Sequence, residues 1–342
     1  LTKSQDATSE TPSEANAAPA AQAIDYAEHF GTMRVLGEIL RTEDRRPWLT
    51  SVSKTPEHRK YVIWLGCNVL RVAHLAETLD DILNYLKEDF VTLGGPSNCC
   101  GIIHEANGDL TIANNMLRNT VNKIESFTSK QMLYWCPSCD NQLRVSPAKQ
   151  ETELTKARIS VVQFLSQQLP RMDLQAVNPM RIAIHTHGGF YEQENDACAA
   201  RTILSQIPGI EVIDMPSITR ERHCTEESIH KLGKVQYIDS LREWTREAKR
   251  LGASHMMSIY HSCHRQMLLA ARNWDAEERL PVTNYLTVLA QALQLAPRVD
   301  KFAHCADVND IDQMLADVEA DLAARGVRPA LAKRALTAQF GS

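Results

Sequence analysis

Five cysteines, Cys67, Cys99, Cys100, Cys136 and Cys139, spaced C-x31-C-C-x35-C-x2-C, constrain what this chain can fold into more than any other feature. Each stands where a short apolar run gives way to a helical pattern. KYVIWLG, from Lys60, ends in Gly66 and meets Cys67. FVTLGGPSNCCG, from Phe90, passes through a Gly-Pro-Ser turn to Cys99 and Cys100, and QMLYW, from Gln131, runs straight into CPSCDNQL. Short apolar runs bounded by Gly and Pro read as buried strands, and apolar residues three and four apart, as in NVLRVAHLAETLDDILNYLKED, read as helix. In open α/β sheets ligands gather at the carboxyl ends of the strands, where helix amino termini also favour thiolate over thiol.

Thiolates are the soft ligands that zinc and iron-sulfur clusters both select. Five exceed what a closed tetrahedral zinc site uses, and exceed the four of an ordinary cubane. A vicinal Cys-Cys pair wraps poorly around one small ion and suits a larger inorganic core. Taken alone, a C-x-x-C is equally a zinc knuckle or a dithiol redox pair, and a lone buried cysteine is ordinarily a small apolar side chain. Together at strand ends, the five point to one iron-sulfur cluster and a redox protein. Nine cysteines in 342 residues are too sparse for a disulfide scaffold, and their clustering predicts a reducing, cytoplasmic setting.

The second half of the chain repeats the plan. RIAIHTHGGF, from Arg181, and SHMMSIYHSCHRQM, from Ser254, again end strands in polar turns. A shift of 124 lays Cys139 over Cys263, Gln142 over Gln266, and VQFLSQQL from Val162 over LTVLAQAL from Leu286, which makes a duplication the expected origin. With a small change of gap, Cys67 aligns with His187, Cys99 with His223, Cys100 with Cys224 and Cys136 with Tyr260. His187, His223, Cys224 and Cys263 form a Cys2His2 set that suits zinc. A cluster with unusual ligands and an empty, degenerate site remain alternatives, and His185, His261 and His264 crowd the same strand ends as possible replacements. A core tyrosine is the expected reading of Tyr260, and Cys198 and Cys305 read as buried thiols, with His304 beside Cys305 as a reserve ligand.

Cys67, Cys99-Cys100-Gly101 and Cys136-Pro137-Ser138-Cys139 resemble the CCG motif of the B subunit of heterodisulfide reductase and its relatives, over roughly Lys60 to Leu295. The resemblance implies a noncubane [4Fe-4S] cluster on the first motif, with Cys99 and Cys100 at the centre of the chemistry. It implies as partners a ferredoxin-like C subunit and a flavin-containing A subunit, because the chain lacks the C-x2-C-x2-C-x3-C-P run of a ferredoxin domain. The sulfur-oxidising version, acting on disulfide or sulfane sulfur with a lipoyl-bearing carrier protein, is the expected type. The alternative is an electron-wiring iron-sulfur subunit of a hydroxyacid oxidase or succinate dehydrogenase-type complex.

The expected fold is α/β: two duplicated Rossmann-like CCG domains with parallel sheets and helical extensions at both ends. The expected divisions are a disordered tail over 1–24, rich in Ala, Ser, Thr, Glu and Pro without a secretory h-region; a helix and connector over 25–59; a cluster-bearing domain over 60–178; a degenerate copy over 179–300; and a helical appendage over 301–342. A net charge of -5, from 37 basic and 42 acidic residues, gives no electrostatic case for nucleic acid. No apolar run reaches membrane-spanning length, and neither a Walker-type loop nor a credible Ser-His-Asp arrangement argues for hydrolysis.

Overall fold

Strands that are each followed by a helix can return to the same sheet only as parallel neighbours, and this chain does so twice. The structure, a computed structural model, describes residues 24–43, 46–53, 57–129, 131–145, 154–186, 193–216 and 232–341. The expected tail over 1–24 therefore lies almost wholly outside the described residues. β1 (Tyr61–Gly66), β2 (Phe90–Gly94), β3 (Gln131–Tyr134) and β4 (Ala157–Ser160) form one parallel sheet in the order β2-β1-β3-β4. β5 (Met180–His185), β6 (Ile210–Ile213), β7 (His255–Ser258) and β8 (Val282–Asn284) form a second in the order β6-β5-β7-β8.

The helices, in chain order, begin with α1 (Tyr26–Ile39), α2 (Ala73–Tyr85), α3 (Ile102–Ala106), α4 (Leu110–Glu125), α5 (Pro137–Val145) and α6 (Val161–Gln167). There follow α7 (Gln193–Ser205), α8 (Lys234–Arg250), α9 (His261–Ala271) and α10 (Tyr285–Ala292). Four short helices, α11 (Lys301–Val308), α12 (Ile311–Asp317), α13 (Glu319–Ala324) and α14 (Pro329–Phe340), end the chain. The pattern after Cys67 reads as one helix, but the first five residues, Asn68–Val72, form a 3-10 turn. Val72 leaves helical geometry at φ -128 and ψ 55, so α2 starts at Ala73 with a new direction.

Alternation along the strands assigns the layers. Val62, Trp64 and Met132 face Leu117, Val121 and Ile124 of α4 on the outer side of the first sheet. Ala183 and Met256 face Trp244 and Ala248 of α8 and Met267 of α9 on the outer side of the second. The inner faces, through Ile63, Leu133, Ile182 and Met257, share one core with α2, α6, α7 and α10. Phe302, Leu336 and Phe340 of the terminal helices join it, so the two sheets are built around a common helical layer.

That layer is paired in a regular way. α6 packs on α7 and α2 packs on α10. Adding 120 to the bounds of α2 gives those of α7, and adding 124 to the start of α6 gives that of α10, so the two packings are counterparts. A self-complementary interface has this property. Trp135 Nε1 donates to the carbonyl of Ile259, its own counterpart at that shift, at 3.3 Å.

Asp196, 1% exposed, pins the same interface. Its carboxylate accepts from Ser160 Oγ at 2.5 Å and Gln163 Nε2 at 2.6 Å in the first half, and from Tyr260 at 2.6 Å in the second. The terminal helices are fastened to the front of the chain by Arg325, which donates to the carbonyls of Glu38 and Arg41. Just before α11, Arg298 forms a two-pronged pair with Asp81 at 2.7 and 2.8 Å.

Candidate metal centre

Three strand ends deliver the five cysteines. β1 stops at Gly66, whose φ of +78 turns the chain at Cys67. A Cβ on Gly66 would stand 2.9 Å from Cys139 Sγ, so the missing side chain is what lets the third loop close over the first. After β2 the chain passes the 3-10 turn Pro96–Asn98 to Cys99 and Cys100, then Gly101 at φ +82 starts α3. A Cβ at Gly101 would meet the carbonyl oxygen of Ala113 at 2.5 Å. After β3, Cys136 precedes α5 and Cys139 lies in its first turn, its amide donating to the Cys136 carbonyl at 3.1 Å.

The central loop is held rigidly. Asn98, fully buried, donates to the carbonyls of Leu49 and Gly94 at 2.9 and 2.8 Å, and its own carbonyl accepts from Trp64 Nε1 at 2.8 Å. Lys123 Nζ reaches Asn98 Oδ1 at 3.1 Å, and Thr120 Oγ1 donates to the Cys99 carbonyl at 2.9 Å. Gln142 of α5 bonds Glu105 of α3, tying the vicinal pair to the C-x-x-C. Such contacts fix the cysteine positions in the way that outer hydrogen bonds orient the ligands of a metal site.

The sulfurs follow one another in a chain. Cys67 and Cys99 lie 3.4 Å apart, Cys100 bonds Cys139, and Cys139 bonds Cys136. The Cys99 sulfur also accepts from the Gly101 amide at 3.5 Å. Bonds from Cys100 and Cys67 hold the Cys99 thiol well below its usual range. Its bond to Cys99, with burial, pushes Cys67 up. Cys139 lowers Cys136, whereas Cys100, Cys136 and burial raise Cys139. Five adjoining thiols, four of them buried, cannot all ionise beside one another unless a cation neutralises them. Among the described residues, the group of ligand atoms drawn within 4.8 Å of one another is a different one, His74, His264 and Asp300. The sulfurs thus line an extended cradle and do not crowd one point, which fits a cluster better than a single ion.

Other neighbours were not indicated by the cysteine pattern. Phe30 and Met33 of α1 pack on Cys67 and Cys99, with Tyr26, Ile103 and Met116 behind them. Tyr26 stacks on His104 at 3.8 Å and bonds Asp109 at 2.5 Å, which pushes its phenol up to about 12. The stretch read as a helix and connector thus covers one side of the site. His261, which sequence places among the alternatives for the second site, bonds Cys136 from across the interface and lowers it further. Only its position after β7, the counterpart of the Cys136 loop, hints at that approach.

The second-half candidates are described only in part. His187, His223 and Cys224 lie outside the described residues. Cys263 is fully buried at the start of α9, within the common core. His185 packs edge-on against Trp244 at 5.0 Å. His264 takes part in the His74 and Asp300 group. Cys305 is buried, which pushes its thiol up to about 12, whereas Cys198, expected to be buried, is exposed. Position explains the difference: Cys198 lies on the solvent side of α7, opposite the buried Ala199, Ala200 and Ile203.

Comparison with known proteins agrees with this geometry. Residues 61–144 match the cysteine-rich domain, CCG. That span starts at the first residue of β1 and ends within α5, so it takes in all five cysteines. The chain is similar to the D subunit of the dihydromethanophenazine:CoB–CoM heterodisulfide reductase of Methanosarcina barkeri, at 24% identity over 189 residues, 53% of this chain and 46% of that protein. The D subunit from Methanosarcina mazei is 23% identical with the same coverage. The chain thus spans about half the length of the curated relatives it matches. Among solved structures, an aspartate racemase homologue from Pyrococcus horikoshii aligns at a TM-score of 0.29 and 9% identity, covering 69% of this chain and 97% of that one, a likeness too slight to inform function. Among the described residues no helix is long and apolar enough to cross a membrane.

Proposed function

We propose that this chain is an iron-sulfur subunit of a heterodisulfide-reductase-like complex, with one noncubane [4Fe-4S] cluster held by Cys67, Cys99, Cys100, Cys136 and Cys139. The observation that carries this reading is the run of sulfurs along three strand ends, with Gly66 and Gly101 placed where no side chain fits. The match over residues 61–144 and the likeness to the two Methanosarcina proteins support it. Bound there, the cluster supplies single-electron chemistry, which lets a disulfide take up two electrons and two protons in steps.

The protein's own groups set the conditions for that chemistry. Phe30 and Met33 exclude water from the Cys67 and Cys99 side. The Gly101 amide donates to Cys99 Sγ and His261 to Cys136, contacts that would raise the reduction potential of a cluster held there by stabilising added electron density. Cys136, the one cysteine of the five that is not fully buried, marks the side from which substrate approaches. Disulfide or sulfane sulfur, with a lipoyl-bearing carrier in the sulfur-oxidising direction, is the substrate class. A ferredoxin-like C subunit and a flavin-containing A subunit supply or remove the electrons. Cys99 and Cys100 are the residues on which turnover depends most.

We further propose that the halves are duplicated Rossmann-like CCG domains, supported by their common strand order and by the paired helix packings. The Cys2His2 set of His187, His223, Cys224 and Cys263 remains part of that proposal as the relic of a second site. Iron and acid-labile sulfide on anaerobically purified protein test the central claim. About four of each per chain are expected, with visible absorption that Cys99→Ser abolishes. Zinc without iron, or disulfide turnover by an iron-free chain, would overturn it.

A further inference from the structure

The geometry points to a second metal site, independent of the cysteine cradle, in which His74, His264 and Asp300 bind one divalent first-row transition ion at the junction of both halves and the terminal helices. His74 lies in the first turn of α2, His264 in the first turn of α9, and Asp300 is the residue that caps α11. Their ligand atoms all lie within 4.8 Å of one another. His74 and His264 are 2% and 1% exposed, and their rings lie 5.7 Å apart at 59°.

Hydrogen-bond bookkeeping identifies what the site lacks. Ser258 Oγ donates to the Thr283 carbonyl at 3.0 Å, so its only hydrogen is committed, and it accepts from Asn284 Nδ2 at 3.0 Å. Toward His264 Nδ1, 3.3 Å away, it can therefore only accept. Nδ1 carries the hydrogen, and Nε2 then turns a lone pair on Asp300 Oδ2 at 2.7 Å. Two acceptors that close need a cation between them, either a second proton on the ring or a metal ion.

His74 decides between the two. Its Nε2 faces the same oxygen at 3.5 Å, long for a hydrogen bond, and its ring is buried, so it brings a second imidazole nitrogen to the same point. An imidazolium-carboxylate pair has no use for a second buried imidazole aimed at its carboxylate. A metal does. Tetrahedral bonds of about 2 Å set ligand atoms about 3.3 Å apart, close to the His74 separation, and ask His264 and Asp300 to part by roughly half an ångström.

The outer contacts also suit ligation. Ser258 fixes the His264 tautomer, as the partner of a metal-bound imidazole must. Asp300 Oδ1 is held by the Ala303 amide at 2.9 Å, which leaves Oδ2 for the ion. Three protein ligands leave a fourth position, and Asp300, with a side chain 23% exposed, is the ligand that water reaches. Two imidazoles and a carboxylate select zinc-like ions over magnesium or calcium. Because the ligands come from three separate parts of the chain, the ion acts as a staple.

The test is zinc binding to the anaerobically purified full chain, with cluster iron measured in the same samples as a control on folding and on the cysteine cradle. One zinc per chain is expected at that site, with an X-ray absorption shell of nitrogen and oxygen at about 2.0 Å and no sulfur. His74→Gln and Asp300→Asn should each weaken that binding at least about tenfold while iron stays unchanged. His304→Gln, which removes the surface pair with Asp317, should leave zinc unchanged. Failure to retain zinc when one equivalent is supplied, a shell made wholly of sulfur, or zinc retention equal in wild type and both variants would each overturn the site. If a variant loses its iron and helical signal, the absorption shell of the wild-type protein decides alone. Loss of cluster iron in the wild type would refute the cysteine assignment without touching this one.

Discussion

The two sheets have the same strand order and different chemistry at the ends of their strands. In the first, the segments that follow β1, β2 and β3 each carry cysteine. In the second, the counterpart of Cys136 is Tyr260, whose hydroxyl is spent on Asp196 at 2.6 Å, and burial with that carboxylate pushes the phenol well above its usual range. The strand-end position that holds a proposed cluster ligand in one half serves in the other to bind the halves together. The sheet fixes where a side chain is delivered, and the residue type alone decides whether that place becomes a metal ligand or a structural pin.

Cysteine substitutions should separate the halves most sharply. Cys99→Ser and Cys100→Ser should each remove essentially all cluster iron and its visible absorption, because the chain of sulfurs is broken at its middle. Cys263→Ser, which changes a core thiol in the second half, should leave iron at the wild-type level and lower stability by about 1 kcal/mol. Iron per chain and thermal melting measured on the same samples check this. Iron loss in Cys263→Ser would mean that the second half shares the cluster.

A pair of glycines gives the next largest contrast. Gly101 and Gly233 have nearly the same φ, +82 and +78. An added Cβ at Gly101 meets backbone of α4 at 2.5 Å, whereas at Gly233 it meets nothing within 4 Å. Gly233→Ala should cost only the backbone term, about 1 kcal/mol. Gly101→Ala carries that term and must also push α4 from the vicinal cysteines, so cluster loss and a cost of about 3 kcal/mol or more are expected. Equal melting shifts in the two variants would show that the CCG loop is not tightly packed.

Asp196→Asn tests the pin itself. Asparagine keeps the shape but turns one acceptor into a donor, facing Ser160 Oγ, Gln163 Nε2 and Tyr260. Leaving such a buried donor unmatched costs about 2 kcal/mol. Melting should fall while iron remains until unfolding, since the site lies at strand ends of the first half.

What the sequence made legible follows from distance along the chain. Short apolar runs ending in Gly and Cys are local signals, so the strands and the placing of the five cysteines after them could be read directly, and the shift of 124 tied β3, α5 and α6 to β7, α9 and α10. The approach of α1 could not be read, because nothing in DYAEHFGTMRVLGEIL distinguishes a helix that covers a metal site from any other amphipathic helix. Nor could the meeting of His74 with Asp300, 226 residues apart by their numbers, since it depends on how the halves pack. The crossing of His261 onto Cys136 is of the same kind. The covering helix, the pin and the histidine contacts all arise from tertiary packing, for which a single sequence holds no periodic signal.

The smallest effect belongs to the opposite end of the first sheet. Glu88, just before β2, is nearly enclosed, and its carboxylate pairs with Lys60, just before β1, at 2.7 Å and with Arg171. Burial alone would raise it, but the two cations outweigh burial and hold it below the ordinary carboxylate range. A depressed carboxylate contributes stability that is fully present above its unfolded pKa, about 4.3, and that is lost as pH falls through the lower folded value. Both cations are about half exposed, so the pairs are screened and Glu88→Gln should cost about 1 kcal/mol at pH 7. The gap between wild type and variant should then narrow from about pH 4 downward. Denaturant midpoints at several pH values check this, with iron content as the companion reading. A midpoint difference that persists at low pH would assign the role of Glu88 to packing, and iron loss at neutral pH would mean that the two ends of the sheet are coupled.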